Sequence, residues 1–135
     1  MDLKEFIRLV PDFPVEGILY RDITPMLREP RAYQYVIDTI YEEYRKHNID
    51  VVLGVESRGF IFAAPVAYKL NASLVPARKH GKLPLQTNKA NYSLEYNEDT
   101  LELHKDAVAN GENVLIIDDV LSAGTAGRDF QAQGL

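Results

Sequence analysis

The sequence predicts an α/β fold in which helices flank a mainly parallel sheet. The short, mostly aliphatic runs Val51–Val55 and Val114–Ile117 lack the alternation of a half-exposed strand. Each is therefore expected to be a strand buried on both faces, as in parallel sheets. Helical spacing precedes and separates these runs. Alternating strands and helices are typical of an α/β sheet whose ligands lie beyond the carboxyl ends of its strands.

Two helices are predicted in the N-terminal third of the chain. Residues 2–10 carry apolar side chains at spacings of three and four, which predicts a short amphipathic helix that Pro11 ends. A second pattern of this kind, over residues 33–44, has charged side chains on its outer face. It predicts a long surface helix.

The middle of the chain is predicted to form a strand-helix-strand unit and a hairpin. Residues 59–70 return to helical spacing after the first buried strand, and residues 73–76 are expected to form the next strand. Residues 89–105 then alternate polar and apolar side chains. This alternation predicts an antiparallel hairpin, with its turn at residues 97–100.

Charge and composition exclude several classes of protein. The 15 basic and 20 acidic residues give a net charge of −5, which opposes attraction to nucleic-acid phosphates. No apolar stretch approaches the ~20 residues that span a bilayer, and the charged Asp2 and Lys4 are unlike the start of a signal peptide. Cysteine is absent, which removes disulfides and zinc-thiolate sites. We therefore expect residues 1–135 to form one cytoplasmic domain with no membrane anchor.

The segment VLIIDDVLSAGTA, residues 114–126, carries the clearest chemical signal. A hydrophobic strand leads to Asp118 and Asp119, and small residues follow at positions 122–126. Small side chains let consecutive backbone N–H groups converge on a phosphate. The two acids are placed to accept hydrogen bonds from vicinal sugar hydroxyls and to offset the charge of a nearby magnesium ion. The segment is neither a Walker loop nor a dinucleotide fingerprint, since GK[ST] and GxGxxG are missing.

This segment closely resembles the phosphoribosyl-pyrophosphate signature of type I phosphoribosyltransferases. Other segments are similar to the adenine-specific branch of that family: PDFPVEGILYRDITP (11–25), VLGVESRGFIFAAPVA (52–67), ARKHGKLP (77–84) and NYSLEYN (91–97). The resemblance covers residues 6–126. It implies a type I phosphoribosyltransferase fold in one domain, with a base-binding segment at about residues 1–30, a core at 31–135 and an antiparallel flap hairpin at 86–105.

The resemblance also implies where the sugar phosphate and the base bind. Asp118 and Asp119 would hold the ribose hydroxyls, and a phosphate loop would cradle the 5′-phosphate through Ser122, Ala123, Gly124, Thr125 and Ala126. The adenine pocket would be formed by Leu19, Tyr20 and Arg21. Tyr20 would stack on the purine while the backbones of its neighbours read the purine edge.

The same resemblance implies the groups that handle the leaving group and the proton. Pyrophosphate would lie against an anion loop, Ser57, Arg58 and Gly59, and against the basic residues Arg78, Lys79 and Lys82. Glu95 in the flap would be the catalytic acid/base, with Tyr96 beside it closing over the substrates.

The implied reaction belongs to purine salvage. Ribosyl 5-phosphate would pass from phosphoribosyl pyrophosphate to adenine, giving AMP and pyrophosphate, in a cytoplasmic homodimer. Magnesium would be the cofactor, held through the substrate near Asp118 and Asp119 rather than by direct protein ligands.

Two features leave alternatives open. The loop reads SAGTA where the adenine branch carries ATGGT, and SAGTA is similar to orotate phosphoribosyltransferases, which makes orotate the second candidate base. A purine-sensing or sugar-phosphate-sensing regulator without turnover is the third candidate. Residues 128–135 do not match the family, so we expect a sheet that lacks the family's last strand and a chain that associates through the uncovered edge.

Overall fold

The structure is a computed structural model that describes residues 1–93 and 98–119. Its N-terminal part is a short 3-10 helix, Leu3–Phe6, followed by strands β1 (Arg8–Pro11) and β2 (Leu19–Asp22). The two strands pair antiparallel as a separate two-stranded sheet. The predicted helix over residues 2–10 is therefore wrong beyond Phe6, because pairing with β2 overrides the local helical spacing.

The remaining elements build one five-stranded sheet with helices on it. Helices α1 and α2 come first, and β3, α3 and β4 then form the strand-helix-strand unit, before the hairpin β5–β6 and the last described strand β7. Their bounds are α1 Thr24–Arg28, α2 Pro30–Tyr44, β3 Val51–Val55, α3 Arg58–Leu70, β4 Ser73–Lys79, β5 Thr87–Ser93, β6 Glu98–His104 and β7 Val114–Ile117.

The sheet order is β5-β6-β4-β3-β7, with β3 pairing parallel to both β4 and β7. Every residue of β3 is buried, which confirms the prediction of a parallel strand covered on both faces. The carboxyl ends of β3, β4 and β7 consequently meet at one edge of the sheet. This edge carries Glu56, Lys79 and Asp118, the residues at or just beyond the three strand ends.

Successive side chains of β3 pack into two apolar clusters, one on each face of the sheet. Val52 joins a cluster formed with the helices, which includes Ile37, Phe62 and Val66. The other cluster joins β3 to β4 and β6; its members are Val51, Leu53, Val55, Val75, Ala77, Leu101 and Leu103. The predicted helices and the flap base therefore cover opposite faces of the same strand.

The hairpin and the last strand depart from prediction in detail. Residues 98–100 of the predicted turn at 97–100 lie in β6, with Thr100 opposite Asn91, so this part of the prediction is wrong. Glu102 was expected on the polar side of the alternation, yet only 3% of it is exposed. Ile116 of β7 is 43% exposed, whereas the sequence predicted burial on both faces. In the part of the chain that the structure describes, no helix has the length and apolarity to cross a membrane.

Candidate active site

Arg58 joins three of the predicted regions at the carboxyl edge of the sheet. Its Nη1 donates a hydrogen bond to the Tyr20 hydroxyl at 2.8 Å, and its guanidinium carbon lies 5.1 Å from the centre of the Tyr20 ring. Its Nε lies 2.7 Å from Oδ2 of Asp119. The predicted base-stacking residue, anion-loop arginine and ribose-binding acid are therefore brought together by one side chain.

The carboxylate of Asp119 is almost buried, with 7% of the side chain exposed. Its contact with Arg58 is an ion pair whose atoms are not aligned as a hydrogen bond. Among the described residues, no group donates a hydrogen bond to Oδ2. A buried carboxylate oxygen without a donor is costly, so Asp119 is well suited to accept a hydrogen bond from a ligand hydroxyl.

The titration of Asp118 is shifted by its surroundings. Much of the residue is exposed, but its Oδ1 accepts a hydrogen bond from the Asp119 backbone N–H and packs beside Gly59. Loss of water around this carboxyl, together with the adjacent Asp119 carboxylate, raises the pKa of Asp118 to about 7. Asp118 therefore still binds a proton over part of the neutral range, and a ligand that donates hydrogen bonds to Asp118 would favour its ionised form.

The anion loop begins helix α3. Ser57 is its N-cap, and the Ser57 side chain makes no capping hydrogen bond in the described structure, so the first N–H groups of α3 remain suited to an anion. Gly59 is required for the close approach of this helix to β7. A Cβ on Gly59 would lie 2.8 Å from the Ile117 carbonyl oxygen and 3.2 Å from the Cα of Asp118.

The three predicted cations at and just beyond the end of β4 are organised by Glu56, an acid that was not among the predicted site residues. Glu56 accepts hydrogen bonds from Arg78 Nε at 3.0 Å, from the Lys79 backbone N–H at 2.9 Å and from Lys82 Nζ at 2.8 Å. Its side chain is 5% exposed. The signal was available in the sequence: Glu56 follows a buried strand directly, where a carboxylate needs partners.

Hydrogen bonds set the charge of Glu56. Burial alone would raise the pKa of Glu56, but donation from Lys82, from the Lys79 backbone and from Arg78 outweighs burial and lowers it to about 2. The carboxylate is thus ionised throughout the neutral range. Glu56 directly precedes the anion loop, Ser57 to Gly59, and its side chain bonds the basic turn (residues 78–82). It therefore joins these two segments.

The predicted adenine residues lie on the small hairpin β1–β2. Tyr20 is half-buried and packs edge-on against Phe13 at 5.1 Å, while Leu19 is 41% exposed and Arg21 is exposed. The hairpin is fastened by Asp22, which accepts hydrogen bonds from Arg8 and Thr24. This arrangement leaves the Tyr20 ring beside the strand ends.

Several predicted residues lie outside the described residues. They are the flap residues Glu95 and Tyr96 and the phosphate loop Ser122, Ala123, Gly124, Thr125 and Ala126. Their roles stay predictions. The hairpin that leads to Glu95 and Tyr96 is described on both sides, and the strand that leads to the phosphate loop is described up to Ile117.

Comparison with known proteins gives the family. The domain family described as "Phosphoribosyl transferase domain" matches residues 23–126. The adenine phosphoribosyltransferase of Maridesulfovibrio salexigens is 55% identical over 124 residues, covering 92% of this chain and 73% of the relative. That of Acaryochloris marina has the same identity and coverage.

Solved structures agree with the sequence matches. The adenine phosphoribosyltransferase of Rhodothermus marinus superposes with a TM-score of 0.86 at 45% identity, covering 96% of this chain and 74% of that one. The enzyme of Giardia lamblia, complexed with 9-deazaadenine, gives a TM-score of 0.91 at 34% identity, with 98% and 74% coverage. The expected fold is confirmed, and these relatives are of the adenine branch rather than the orotate alternative.

Proposed function

The chain belongs to the adenine phosphoribosyltransferase family, and we propose that its residues divide the family's reaction among three places along the sheet edge. The activity is the transfer of ribosyl 5-phosphate from phosphoribosyl pyrophosphate to adenine, which gives AMP and pyrophosphate in purine salvage. The observation that carries the proposal is the position of Arg58 between Tyr20 and Asp119. Base, sugar and leaving group must meet at the anomeric carbon, and this arginine touches a candidate residue for two of them.

The sugar phosphate binds at the end of β7. Asp119 accepts a hydrogen bond from a ribose hydroxyl, and Asp118 accepts one from the vicinal hydroxyl. The phosphate loop at residues 122–126 binds the 5′-phosphate through its backbone N–H groups. Support comes from the buried Asp119 Oδ2, which receives no hydrogen bond from the described residues.

Pyrophosphate leaves toward the cations at the ends of β3 and β4. As the bond between the anomeric carbon and the pyrophosphate oxygen breaks, negative charge grows on that oxygen and positive charge on the sugar. Arg58, the N-terminus of α3 and the basic turn stabilise the growing negative charge. Binding of the ribose hydroxyls to Asp119 would compete with the Arg58 ion pair, which frees the guanidinium for the leaving group.

Adenine stacks on Tyr20, with the backbones of Leu19 and Arg21 at its edge. The N9 atom of adenine forms the new bond to the anomeric carbon, and Glu95 accepts or returns the purine proton that this step displaces. Tyr96 and the flap exclude water, which would otherwise attack the activated sugar. The Saccharomyces cerevisiae enzyme, 39% identical with a TM-score of 0.83 over 96% of this chain and 76% of that one, has been solved with adenine and an iminoaltritol bisphosphate.

Magnesium fits the donor set at the end of β7. The described residues form no group of three metal-ligating side chains, but Asp118 and Asp119 offer hard carboxylate oxygens of the kind that magnesium prefers. The ion would be held through the substrate, near Asp118 and Asp119. When bound, magnesium offsets the charge of the leaving pyrophosphate. The cytoplasmic homodimer expected from the sequence stays a prediction.

A direct assay tests the assignment of the base. Purified chain with phosphoribosyl pyrophosphate and magnesium is expected to convert adenine to AMP, while orotate, hypoxanthine and guanine compete poorly. Glu95→Gln is expected to lower kcat with KM nearly unchanged. Gly124→Val is expected to raise the KM for phosphoribosyl pyrophosphate, because the phosphate loop needs a small residue. Preferential turnover of orotate would assign the chain to the orotate branch instead.

A further inference from the structure

We propose that Glu56 is a positioning residue for pyrophosphate, because its carboxylate orients the cations of the basic turn toward the anion loop. The inference rests on the proposed function of this edge of the sheet. Glu56 is two residues before Arg58 and one residue beyond β3. Its backbone N–H donates to the Ala77 carbonyl at 2.9 Å, so the parallel pairing of β3 and β4 continues up to the carboxylate.

The atoms that Glu56 engages leave the anion-binding groups available. Glu56 accepts hydrogen bonds from Nε of Arg78 and from the backbone N–H of Lys79. Its bonds therefore do not use the two terminal nitrogens of the Arg78 guanidinium or the Lys79 ammonium. Lys82 contributes one of its three ammonium hydrogens. Arg78 and Lys82 are thus each held by one donor and keep other donors for a second partner, while Lys79 is held by its backbone alone.

The carboxylate has two opposite effects on anion binding. Its negative charge lowers the local positive potential, which weakens attraction to pyrophosphate. Its hydrogen bonds fix two flexible cationic side chains, Arg78 and Lys82, and the backbone of Lys79 in one arrangement, which reduces the entropy lost when the cations bind an anion together. The side chains of Arg78 and Lys82 are 35% and 51% exposed, so water screens the charge effect. Orientation is therefore the larger effect.

This reasoning predicts the sign of a conservative substitution. Glu56→Gln removes the charge that holds the turn and presents an amide N–H to the cations. If charge neutralisation were the main role of Glu56, the variant would bind pyrophosphate more tightly. If positioning is its role, the variant binds pyrophosphate about tenfold more weakly, the loss typical of a charge-assisted hydrogen bond.

The test compares binding of magnesium pyrophosphate by calorimetry in wild type, Glu56→Gln and Asp38→Asn. Asp38 pairs with Lys69 on exposed surfaces of α2 and α3, so its variant loses an ion pair without touching the site and should bind as wild type does. Steady-state kinetics then give the split that a merely structural role would not produce. The KM for phosphoribosyl pyrophosphate should rise about tenfold in Glu56→Gln, while the KM for adenine changes less than about twofold.

A second variant tests the inference in case Glu56→Gln does not fold. Glu56→Asp keeps the charge but withdraws it by one methylene, and we expect it to show the same split with a smaller rise. Unchanged or tighter pyrophosphate binding in a folded Glu56 variant, or equal rises in both KM values, would overturn the inference. Pyrophosphate binding is measured without turnover, so it tests the role of Glu56 independently of the reaction. A wild-type chain that binds pyrophosphate but makes no AMP would refute the proposed function, while the comparison of Glu56 variants would still test the positioning role.

Discussion

The neighbouring strands β3 and β7 run parallel and end side by side, yet the acids beyond them are in opposite states. Glu56, after β3, accepts three hydrogen bonds and has a pKa lowered to about 2. After β7, Asp118 has a pKa raised to about 7 and Asp119 has a buried oxygen that no described group donates to. The two strand ends have equivalent positions in the fold, but the protein supplies hydrogen-bond donors to the acid at one end and leaves the acids at the other end short of donors.

The difference separates an acid that serves the protein from acids that serve a ligand. Because Glu56 already accepts three hydrogen bonds within the chain, it gains little from a substrate donor and acts instead through the cations that it holds. Asp118, with its raised pKa, and Asp119, with a buried oxygen that no described group donates to, are costly to the fold alone. They gain most when a ligand supplies hydroxyls or a cation. The number of hydrogen bonds that an acid receives within the chain therefore distinguishes a structural acid from a ligand-binding one, although both lie at the same position in the fold.

The largest expected effect comes from removing the charge of Asp119. Asp119→Asn places an amide where a ribose hydroxyl should donate, and it also removes the ion pair with Arg58. We expect kcat/KM for phosphoribosyl pyrophosphate to fall roughly 100-fold, as for loss of a strong charged hydrogen bond. Steady-state AMP formation measures this, with Asp38→Asn as the unaffected control. A loss below about threefold would mean that Asp119 is satisfied within the chain, as Glu56 is.

A smaller effect should follow from separating the two strand ends. Gly59→Ala adds a Cβ 2.8 Å from the Ile117 carbonyl oxygen, and a backbone atom cannot move aside cheaply. The N-terminus of α3 must shift away from β7, which disturbs Arg58 and Asp119 together. We expect a lower Tm and a KM for phosphoribosyl pyrophosphate raised about tenfold, from an overpacking cost of ~1–3 kcal/mol. Thermal melts and kinetics on the same sample test both effects, and an unchanged KM would show that the approach of α3 to β7 is not needed for binding.

The local sequence pattern was sufficient to predict the strands and the helix of the parallel core. Val51–Val55 is a strand with the predicted bounds, α3 begins one residue before its predicted start, and Val114–Ile117 is a strand as expected. These segments have short aliphatic runs or three-four spacing that no competing structure satisfies as well. Their parallel pairing then placed Arg58 and Asp119 together at one edge.

Pairing between distant segments could not be predicted from local pattern. Arg8–Pro11 became a strand because Leu19–Asp22 is available to pair with it, and no signal within residues 2–10 indicates that partner. Glu102 was expected to be exposed, but it is buried beneath His80, Thr87 and Lys89, which supply its partners. The sequence shows that Glu56 directly follows a buried strand, but it does not show the partners of Glu56, which lie 22 to 26 positions away.

The stability of the β3 end should weaken in acid. Glu56 has a folded pKa of about 2, below its ordinary 4.5, so its carboxylate stabilises the fold above about pH 4.5 and loses that contribution as pH falls toward 2. Glu56→Gln should therefore lower the Tm at pH 7, and the difference from wild type should shrink between pH 4.5 and 2. Melts at four pH values measure this. A difference that stays constant with pH would mean that shape, rather than charge, accounts for the loss.

The smallest expected effect has the opposite sign and belongs to the β7 end. Asp118 has a folded pKa of about 7, above its ordinary 3.8. Between these values the folded chain binds a proton that the unfolded chain has released, so the free energy of unfolding falls as pH rises from 3.8 to 7 and stays low above 7. Asp118→Asn does not titrate. We expect its Tm to match wild type near pH 4 and to exceed it by a few degrees at pH 8, in the absence of ligand.

Asp38→Asn is the matched control for this last comparison, because it removes an exposed aspartate from the same chain. Its Tm difference from wild type should not grow in favour of the variant as pH rises. Phosphoribosyl pyrophosphate should then reverse the ranking at pH 8, since only wild type gains from placing two hydroxyls on two carboxylates and a ligand stabilises the form that binds it. A Tm difference for Asp118→Asn that is flat from pH 4 to 8 would show that the Asp118 carboxyl is already ionised and satisfied, and the contrast between the two strand ends would then rest on Asp119 alone.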